Sequence, residues 1–178
     1  MRIQVLAYAF AATIAASSAL AQSAPPAVFM SDKDIMSLVD KAKADRKGDA
    51  PTTAEPILLL APYRAQLEYR PIGGPAALHE KDAELMVVLQ GAGDIVTGGK
   101  LVNEKRVNAN NLTGSSIEGG TSHLVVKGDM ILIPANSPHQ VAPSGGAPIL
   151  LMTMHVPDPA TGWPPANLSG LQHQRRGA

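Results

Sequence analysis

The chain has 178 residues, no cysteine and a formal net charge of zero, which excludes disulfide frameworks, thiolate metal sites and cysteine nucleophiles. Fifteen basic residues balance fifteen acidic ones without forming a basic stripe, so nucleic acid is not an expected partner. Sixteen glycines, fifteen prolines and only 3% aromatic residues fit many short strands joined by turns better than a helix bundle.

Residues 1–21 have the pattern of a secretory signal peptide. Arg2 supplies a positive charge, an apolar run covers residues 3–16, and Ala19-Leu20-Ala21 forms a small-x-small cleavage site. The run is short for a membrane span, and no stop-transfer pattern follows it. We therefore expect cleavage after Ala21, a periplasmic or secreted location and no transmembrane segment after cleavage. An uncleaved N-terminal anchor is the alternative.

Residues 22–56 are predicted to form a lead-in and one helix. Ser31 is a candidate N-cap, acidic side chains follow in the first turn, and Gly48 ends the pattern. The apolar positions at helical spacing are Ile35, Leu38, Val39 and Ala42. We expect this helix to pack outside a barrel; a partner-binding amphipathic helix is the alternative.

From residue 57 the pattern changes to short strands separated by Gly- and Pro-rich turns. The predicted strands are 57–60, 63–70, 84–90, 94–97, 123–127, 130–133 and 149–155. Residues 100–107 are predicted to be a weak edge strand or a loop, and residues 108–120 a mobile loop. This number of strands with one helix predicts an all-β barrel or sandwich over residues 57–156. The Pro-rich tail at 157–178 cannot pair in a central sheet.

The strand at 63–70 alternates between an apolar and a polar face. Its polar face carries Arg64, Gln66, Glu68 and Arg70. If that face turned inward, the two arginines could bind a carboxylate substrate. We favour a solvated face, because barrel exteriors of single domains are polar.

Two segments, residues 74–91 and 128–139, resemble the two motifs of the cupin superfamily. In the second segment five residues separate Gly128 from Pro134, and His139 follows five positions after that proline. The apolar strand between glycine and proline completes the resemblance.

The first segment matches the family pattern in part. Glu84 and Gly91 have the expected separation, but His79 is the one histidine present, and Lys81 occupies the place of the second. The resemblance covers roughly residues 57–156. It implies an all-β, cupin-type jelly-roll barrel with one N-terminal helix, whose interior holds a metal or a substrate.

The predicted metal ligands are His79, Glu84 and His139. Glu84 begins an apolar strand, His79 lies five residues earlier, and His139 follows Pro138, which restricts where the ring points. Two imidazoles and a carboxylate suit Fe(II), and also Mn, Ni or Zn, and leave positions open for water or substrate. Two alternatives remain: Glu80 or Gln140 could replace a ligand, or the histidines could close the barrel mouth by hydrogen bonding without a metal.

Three functions follow from this pattern. A metal-dependent oxygenase, isomerase or lyase would act on a small polar organic molecule, with Lys81 and Glu80 as acid/base or substrate contacts and residues 108–120 as a lid. A non-catalytic barrel would bind a small ligand without metal, as the incomplete first motif allows. A homodimer could form through edge strands. His123 is predicted to be a surface residue, and His155 either lines the pocket or packs at a strand end.

Overall fold

Thirteen strands and one helix make up the computed structural model over the residues that it describes, 26–61 and 63–157. The predicted signal peptide at 1–21 lies outside the described residues, and so does the predicted tail at 157–178 except for its first residue.

The helix, α1 (Asp32–Asp45), begins where the sequence predicts. Ser31 precedes it with an extended backbone, and its side-chain oxygen accepts a hydrogen bond from the backbone N–H of Asp34 at 3.2 Å. Gly48 follows the helix in the left-handed conformation, at φ 53°, in keeping with its predicted role as a stop. No helix among the described residues is long and apolar enough to cross a membrane.

The strands form two main antiparallel sheets that enclose one interior. In chain order they are β1 (Thr53–Leu60), β2 (Tyr63–Arg70), β3 (Ala76–His79), β4 (Asp82–Gln90), β5 (Ala92–Thr97), β6 (Lys100–Val102), β7 (Lys105–Arg106), β8 (Asn111–Gly114), β9 (Ser116–Glu118), β10 (Thr121–Val126), β11 (Met130–Ile133), β12 (His139–Pro143) and β13 (Ile149–Pro157). One sheet has the order β1-β2-β13-β4-β11, the other has the order β10-β5-β12-β3-β8-β7, and β6 pairs with β9.

The larger hydrophobic core lies between the two sheets. Its buried members come from both of them and are Met86, Val88, Ile95, Val125, Ile133, Val141, Ile149 and Leu151. Burial of these side chains removes apolar surface from water and holds the sheets together. Over the described residues, the predicted all-β barrel with one N-terminal helix is therefore confirmed.

A second core lies outside the barrel, between α1 and the five-stranded sheet. Val39 of the helix packs there with Ile57, Leu67 and Leu150 of the sheet. Lys41 adds an ion pair to the buried carboxylate of Glu55, with Nζ–O distances of 2.7 and 2.8 Å. The apolar stripe of α1 is thus used within the chain, as the first interpretation of this helix predicts.

Residues 108–120 are wrongly predicted as a mobile loop. They contain β8 and β9, and β8 pairs with β3 along its whole length. Thr113 also donates a side-chain hydrogen bond to the Ala76 carbonyl at 2.8 Å. The polar composition of this segment suggested a loop, but its backbone groups are satisfied by strands distant in sequence. The same cause explains β3 and β12, which the sequence pattern did not reveal.

The polar face of β2 turns toward the barrel interior. The favoured prediction of a solvated face is therefore wrong for the buried Glu68 and the half-buried Arg70, whereas Arg64 is exposed as predicted. Ala65 and Leu67 occupy the opposite face, which packs toward α1. Glu68 is buried, and it accepts hydrogen bonds from Arg70 at 2.8 Å and from Thr153 at 3.3 Å. The helix decides this orientation, because it covers the apolar face that would otherwise have to be internal.

Candidate metal centre

Four side chains that can bind a metal converge at one end of the barrel interior. Glu84 lies near the start of β4, and His155 lies opposite it near the end of β13. His79 ends β3 and His139 begins β12, which is the neighbouring strand in the facing sheet. The structure therefore brings the predicted ligands His79, Glu84 and His139 together and adds His155 to them.

The Glu84 carboxylate is the centre of this cluster. Its Oε2 atom lies 3.0 Å from Nε2 of His139 and 3.3 Å from Nε2 of His79, while Oε1 lies 3.8 Å from Nε2 of His155. Ligand atoms of His79, Glu84 and His155 all lie within 4.8 Å of one another. The side chains of Glu84 and His139 are only 4% and 5% exposed. Three imidazoles thus present the same ring atom to one buried carboxylate.

Two hydrogen bonds orient the imidazoles that contact Oε2. Nδ1 of His79 lies 2.8 Å from Oδ1 of Asn111, and Nδ1 of His139 lies 3.3 Å from the carbonyl oxygen of Ser137. Both partners are acceptors, so each Nδ1 carries the proton. In the neutral rings this leaves the lone pair on Nε2, directed at Glu84. Such outer contacts are typical of histidines that bind metals.

This arrangement fits a bound cation. Two lone pairs and a carboxylate oxygen face one another at close range, which is repulsive unless a positive charge lies among them. In addition, Oε2 of Glu84 is buried and makes no hydrogen bond of acceptable geometry with a described residue. A buried, unsatisfied carboxylate oxygen is costly, and a metal ion or a proton on an imidazole would remove that cost.

The pKa values of His79 and His155 are shifted in opposite directions within the cluster. Burial alone would raise the pKa of Glu84, but the neighbouring His139 and His79 hold it well below its usual range. Burial lowers the pKa of His79, yet contacts with Glu84 and Asn111 outweigh it and raise that pKa above the ordinary value. Burial lowers the pKa of His155, and the charge of Glu84 offsets this only in part. The cluster therefore combines an ionised carboxylate with at least one imidazole that favours the neutral, metal-binding form.

His155 is the member of the cluster that sequence reasoning left open. The available signal was the alternation along β13, which places His155 on the same face as Leu151 and Thr153 rather than beside its neighbours Met152 and Met154. Because Leu151 belongs to the interior core, that face points into the barrel. The pocket-lining alternative for His155 therefore agrees with its position.

The other predicted site residues lie around the cluster rather than in it. Arg106 holds both carboxylate oxygens of Glu80, at 2.8 and 2.9 Å, and this pairing lowers the pKa of Glu80. Lys81 is exposed on the adjoining turn. The amide of Gln140 donates to the carbonyl of Gly74 at 2.8 Å, so it is occupied away from the cluster. Roles of Lys81 and Glu80 in acid/base chemistry stay predictions.

His123 is half-buried rather than on the surface as predicted. Its Nε2 atom lies 3.2 Å from Oγ1 of Thr97 on the adjacent strand β5. It alternates with the exposed Leu124 and shares the inward face of β10 with the buried Val125. This histidine has a partner within its own sheet, which makes it a useful control in experiments on the cluster.

No family model matches this sequence, and no curated protein matches it. Several solved structures are similar. One is the cupin domain of Cnp3 from Schizosaccharomyces pombe, with 13% identity and a TM-score of 0.45, and the match covers 60% of this chain and 61% of that one. This chain therefore spans less than two thirds of the Cnp3 cupin-domain chain.

Two further structures have similar values. A protein with a double-stranded β-helix domain from Klebsiella pneumoniae has 14% identity and a TM-score of 0.48, with 68% of this chain and 89% of that chain covered. A Cupin 2 conserved barrel domain protein from Salinispora arenicola has 14% identity and a TM-score of 0.44, with 64% and 82% covered. The names of these proteins agree with the predicted resemblance to the cupin superfamily. Likeness at such low identity concerns the fold alone, which does not by itself define a function.

Proposed function

We propose that this cupin-fold protein binds one divalent transition metal through His79, Glu84, His139 and His155 and acts there on a small polar organic molecule. The observation that carries the proposal is the pair of oriented imidazoles. His79 and His139 have their Nδ1 atoms tied to acceptors and their Nε2 atoms directed at a buried carboxylate oxygen that lacks a hydrogen bond. A metal ion would satisfy both ring nitrogens and the carboxylate oxygen at once, whereas without metal an imidazole would have to carry a second proton to hydrogen-bond Glu84.

The donor set of imidazoles and one carboxylate suits Fe(II), Mn, Ni or Zn. When bound, such a metal would supply Lewis acidity toward a substrate carbonyl, or activate water or dioxygen. The chain's own residues have separate tasks. Glu84 contributes the negative charge, Asn111 fixes the ring of His79, and the apolar interior beyond Met86 keeps water from the far side of the cluster. Oxygenase, isomerase and lyase chemistry all remain open to this arrangement.

Elemental analysis of the purified protein tests the metal. The wild type, loaded with each of the four metals in turn and then desalted, should retain about one equivalent of at least one of them. The His139→Ala variant should retain little, because it loses a ligand that contacts Glu84. The matched control is His123→Ala, which removes an imidazole bound to Thr97 and should leave the metal content unchanged.

Two outcomes would overturn the metal proposal. One is a wild type that retains none of the four metals; the other is an equal loss of metal in the His139→Ala and His123→Ala variants. The first outcome would favour the alternative function, a barrel that binds a small ligand without metal and performs no reaction.

We also propose that the chain is exported, on the basis of the signal-peptide pattern in residues 1–21. Expression of the complete chain in a Gram-negative host, followed by fractionation and N-terminal sequencing, tests this. Mature protein that begins at Gln22 in the periplasm or medium is expected. Full-length protein that keeps Met1 in the cytoplasmic fraction would contradict export.

A homodimer through the edges formed by β10 and β11 is a further proposal. Each of these strands ends one of the two main sheets, so each has unpaired backbone groups on one side. Their outward side chains are apolar and exposed, and they are Leu124, Val126, Met130 and Leu132. Light scattering on the purified protein should give the mass of two chains. The Leu124→Lys variant should give the mass of one, whereas a wild type with the mass of one chain would exclude the dimer.

A further inference from the structure

We infer that Arg64 is a specificity-determining residue that binds a carboxylate group of the substrate at the mouth of the barrel. This inference rests on the proposed function, because it deepens the description of the same site: it assigns the substrate to small organic anions. It depends on where Arg64 lies, on its lack of an ion-pair partner among the residues that the structure describes, and on the charge of the cluster beside it.

Arg64 lies in the same row of the sheet as two members of the cluster. His155 pairs with Glu84 on one side and with Arg64 on the other, so β4, β13 and β2 present these three residues side by side. Neighbouring strands are about 4.8 Å apart, which puts the backbone of Arg64 about 10 Å from that of Glu84. An extended arginine side chain and a ligand of a few atoms together span this distance.

Arg64 also belongs to the face of β2 that turns inward. Residues two apart on a strand share a face, and Glu68, four positions further on, is buried and hydrogen-bonded to the interior residue Thr153. Ala65, next to Arg64, is buried on the opposite face. Arg64 is therefore an exposed side chain at the open end of a face that continues into the barrel.

A second arginine on this face has a structural role. Arg70 is largely buried, and its guanidinium lies 2.7 Å from Glu68, which gives that buried carboxylate its counter-charge. Arg64, by contrast, forms no ion pair with any residue between 26 and 157 that the structure describes. In the folded protein the charge of Arg70 is therefore paired with that of Glu68. The planar guanidinium group of Arg64 has no such pairing with a described residue and can donate two parallel hydrogen bonds to a carboxylate ligand.

The charge balance of the site favours an anion. A divalent metal carries two positive charges, Glu84 cancels one, and Asp82, on the same face of β4, cancels another. With the positive charge of Arg64 added, the site has a net positive charge. A ligand with a carboxylate would neutralise this excess in a partly desolvated site.

Calorimetric titration with a series of small dicarboxylates, malonate, succinate and glutarate, tests the inference. Each is compared with its uncharged diamide of the same size, using both Mn(II)-loaded and metal-free protein. The wild type should bind at least one dicarboxylate and bind its diamide much more weakly. Replacement of Arg64 by Gln should lower the dicarboxylate affinity roughly tenfold to a hundredfold, as the loss of a charged hydrogen-bonded pair predicts.

The matched control is Lys127→Gln, which removes one positive charge from the opposite end of the barrel. Lys127 lies in the exposed turn before β11, whose residue Met130 pairs with Val87 rather than with Glu84. This variant should bind the dicarboxylates as the wild type does. The Arg64→Lys variant should retain part of the affinity, because it keeps the charge and loses the planar fork.

Three results would overturn the inference: no dicarboxylate binds the wild type, the Arg64→Gln variant binds as tightly as the wild type, or Lys127→Gln weakens binding equally. The metal content, measured on the same samples, separates this inference from the proposed function. Protein that holds metal but does not depend on Arg64 contradicts only the inference. Protein that holds no metal and still binds dicarboxylates through Arg64 contradicts only the metal proposal.

Discussion

The two ends of the barrel interior are built from the same strands but from opposite kinds of side chain. Each of β4, β12 and β13 places apolar side chains at one end and ionisable ones at the other. The apolar end includes Met86, Val88, Val141 and Leu151. The polar end includes Glu84, His139 and His155. On β4 and β13 the change occurs at the same level, where Met86 pairs with Thr153 and Glu84 pairs with His155.

This difference separates stability from function. Apolar burial at the first end stabilises the barrel without any ligand. At the other end the Glu84 carboxylate and the His139 imidazole are buried, and two further imidazoles are half-buried. Two polar atoms of this group, on Glu84 and His155, lack hydrogen-bond partners within residues 26–61 and 63–157. Buried groups of this kind cost stability unless something binds them. We therefore expect changes at the apolar end to alter folding, and changes at the polar end to alter binding.

The largest effect is expected from Leu151→Ala at the apolar end. Leu151 is fully buried, so the variant should lower the free energy of unfolding by about 2–5 kcal/mol through lost burial and a residual cavity. Denaturant unfolding measures this, and the metal content of the folded variant should remain that of the wild type. Leu59→Ala, at a side chain that is 60% exposed, is the control and should change stability little. Similar losses of unfolding free energy in Leu151→Ala and Leu59→Ala would contradict the expectation that the apolar end stabilises the barrel.

Metal removal should have the second-largest effect on the free energy of unfolding. With free metal at a hundred times its Kd, the bound ion should stabilise the native state by about 2.7 kcal/mol, and a chelator should abolish this gain. Thermal unfolding with and without chelator is the measurement. The Glu84→Gln variant should unfold at the same temperature in both conditions. If the wild type also failed to respond, the polar end would have no role in metal binding.

Asn111→Ala should weaken metal binding while leaving the ligands in place. Asn111 orients His79 through the Oδ1–Nδ1 contact of 2.8 Å, and loss of such an outer contact typically lowers metal affinity by about 10- to 100-fold. Competition with a chelating dye measures the affinity. The neighbouring Asn110→Ala variant is the control, because the Asn110 side chain forms no hydrogen bond with another described residue and its backbone N–H, which donates to Oδ1 of Asn108 at 2.9 Å, is kept in the variant. An unchanged affinity in Asn111→Ala would exclude the orienting role.

Metal affinity should rise with pH. The pKa of His79 is raised above its ordinary value, so below that pKa the metal must displace a proton from the ring. One displaced proton changes the apparent affinity by about tenfold per pH unit, and the dependence should flatten once the pH exceeds this pKa. Titrations from about pH 5.5 to pH 8 measure it. An affinity that falls over this range would mean that the imidazoles are not ligands.

The smallest effect on stability is expected at the boundary between the apolar and polar ends of the barrel interior. Thr153 is fully buried there, and its hydroxyl donates to Glu68 at 3.3 Å. Thr153→Val keeps the shape and removes this donor, so it should cost about 1 kcal/mol of unfolding free energy. Thr153→Ser keeps the hydroxyl and is the comparison. If the serine variant were the less stable of the two, packing rather than the hydrogen bond would dominate at this level.

Much of the fold follows from local sequence signals. The N-cap Ser31 and the apolar spacing of α1 predicted the helix, and the alternation at 63–70 gave the bounds of β2 as the structure has them. The segments around Glu84 and His139 indicated the barrel type and three members of the cluster. These features are readable because each depends on residues a few positions apart along the chain.

The positions that the sequence pattern missed all depend on strands distant along the chain. Residues 108–120 become strands because β3 supplies their hydrogen bonds. His155 joins the cluster because β13 pairs with β4 in the register that sets it opposite Glu84. Neither partner can be identified from the composition of the segment itself.

The sequence by itself thus determined the kinds of element, their approximate order and the residue types available for a metal site. Only the tertiary structure decided which face of β2 points inward, and with it the different surroundings of Arg64 and Arg70. The alternation of apolar and polar residues shows that β2 has two different faces. The packing of α1 against one of them determines which face lines the barrel.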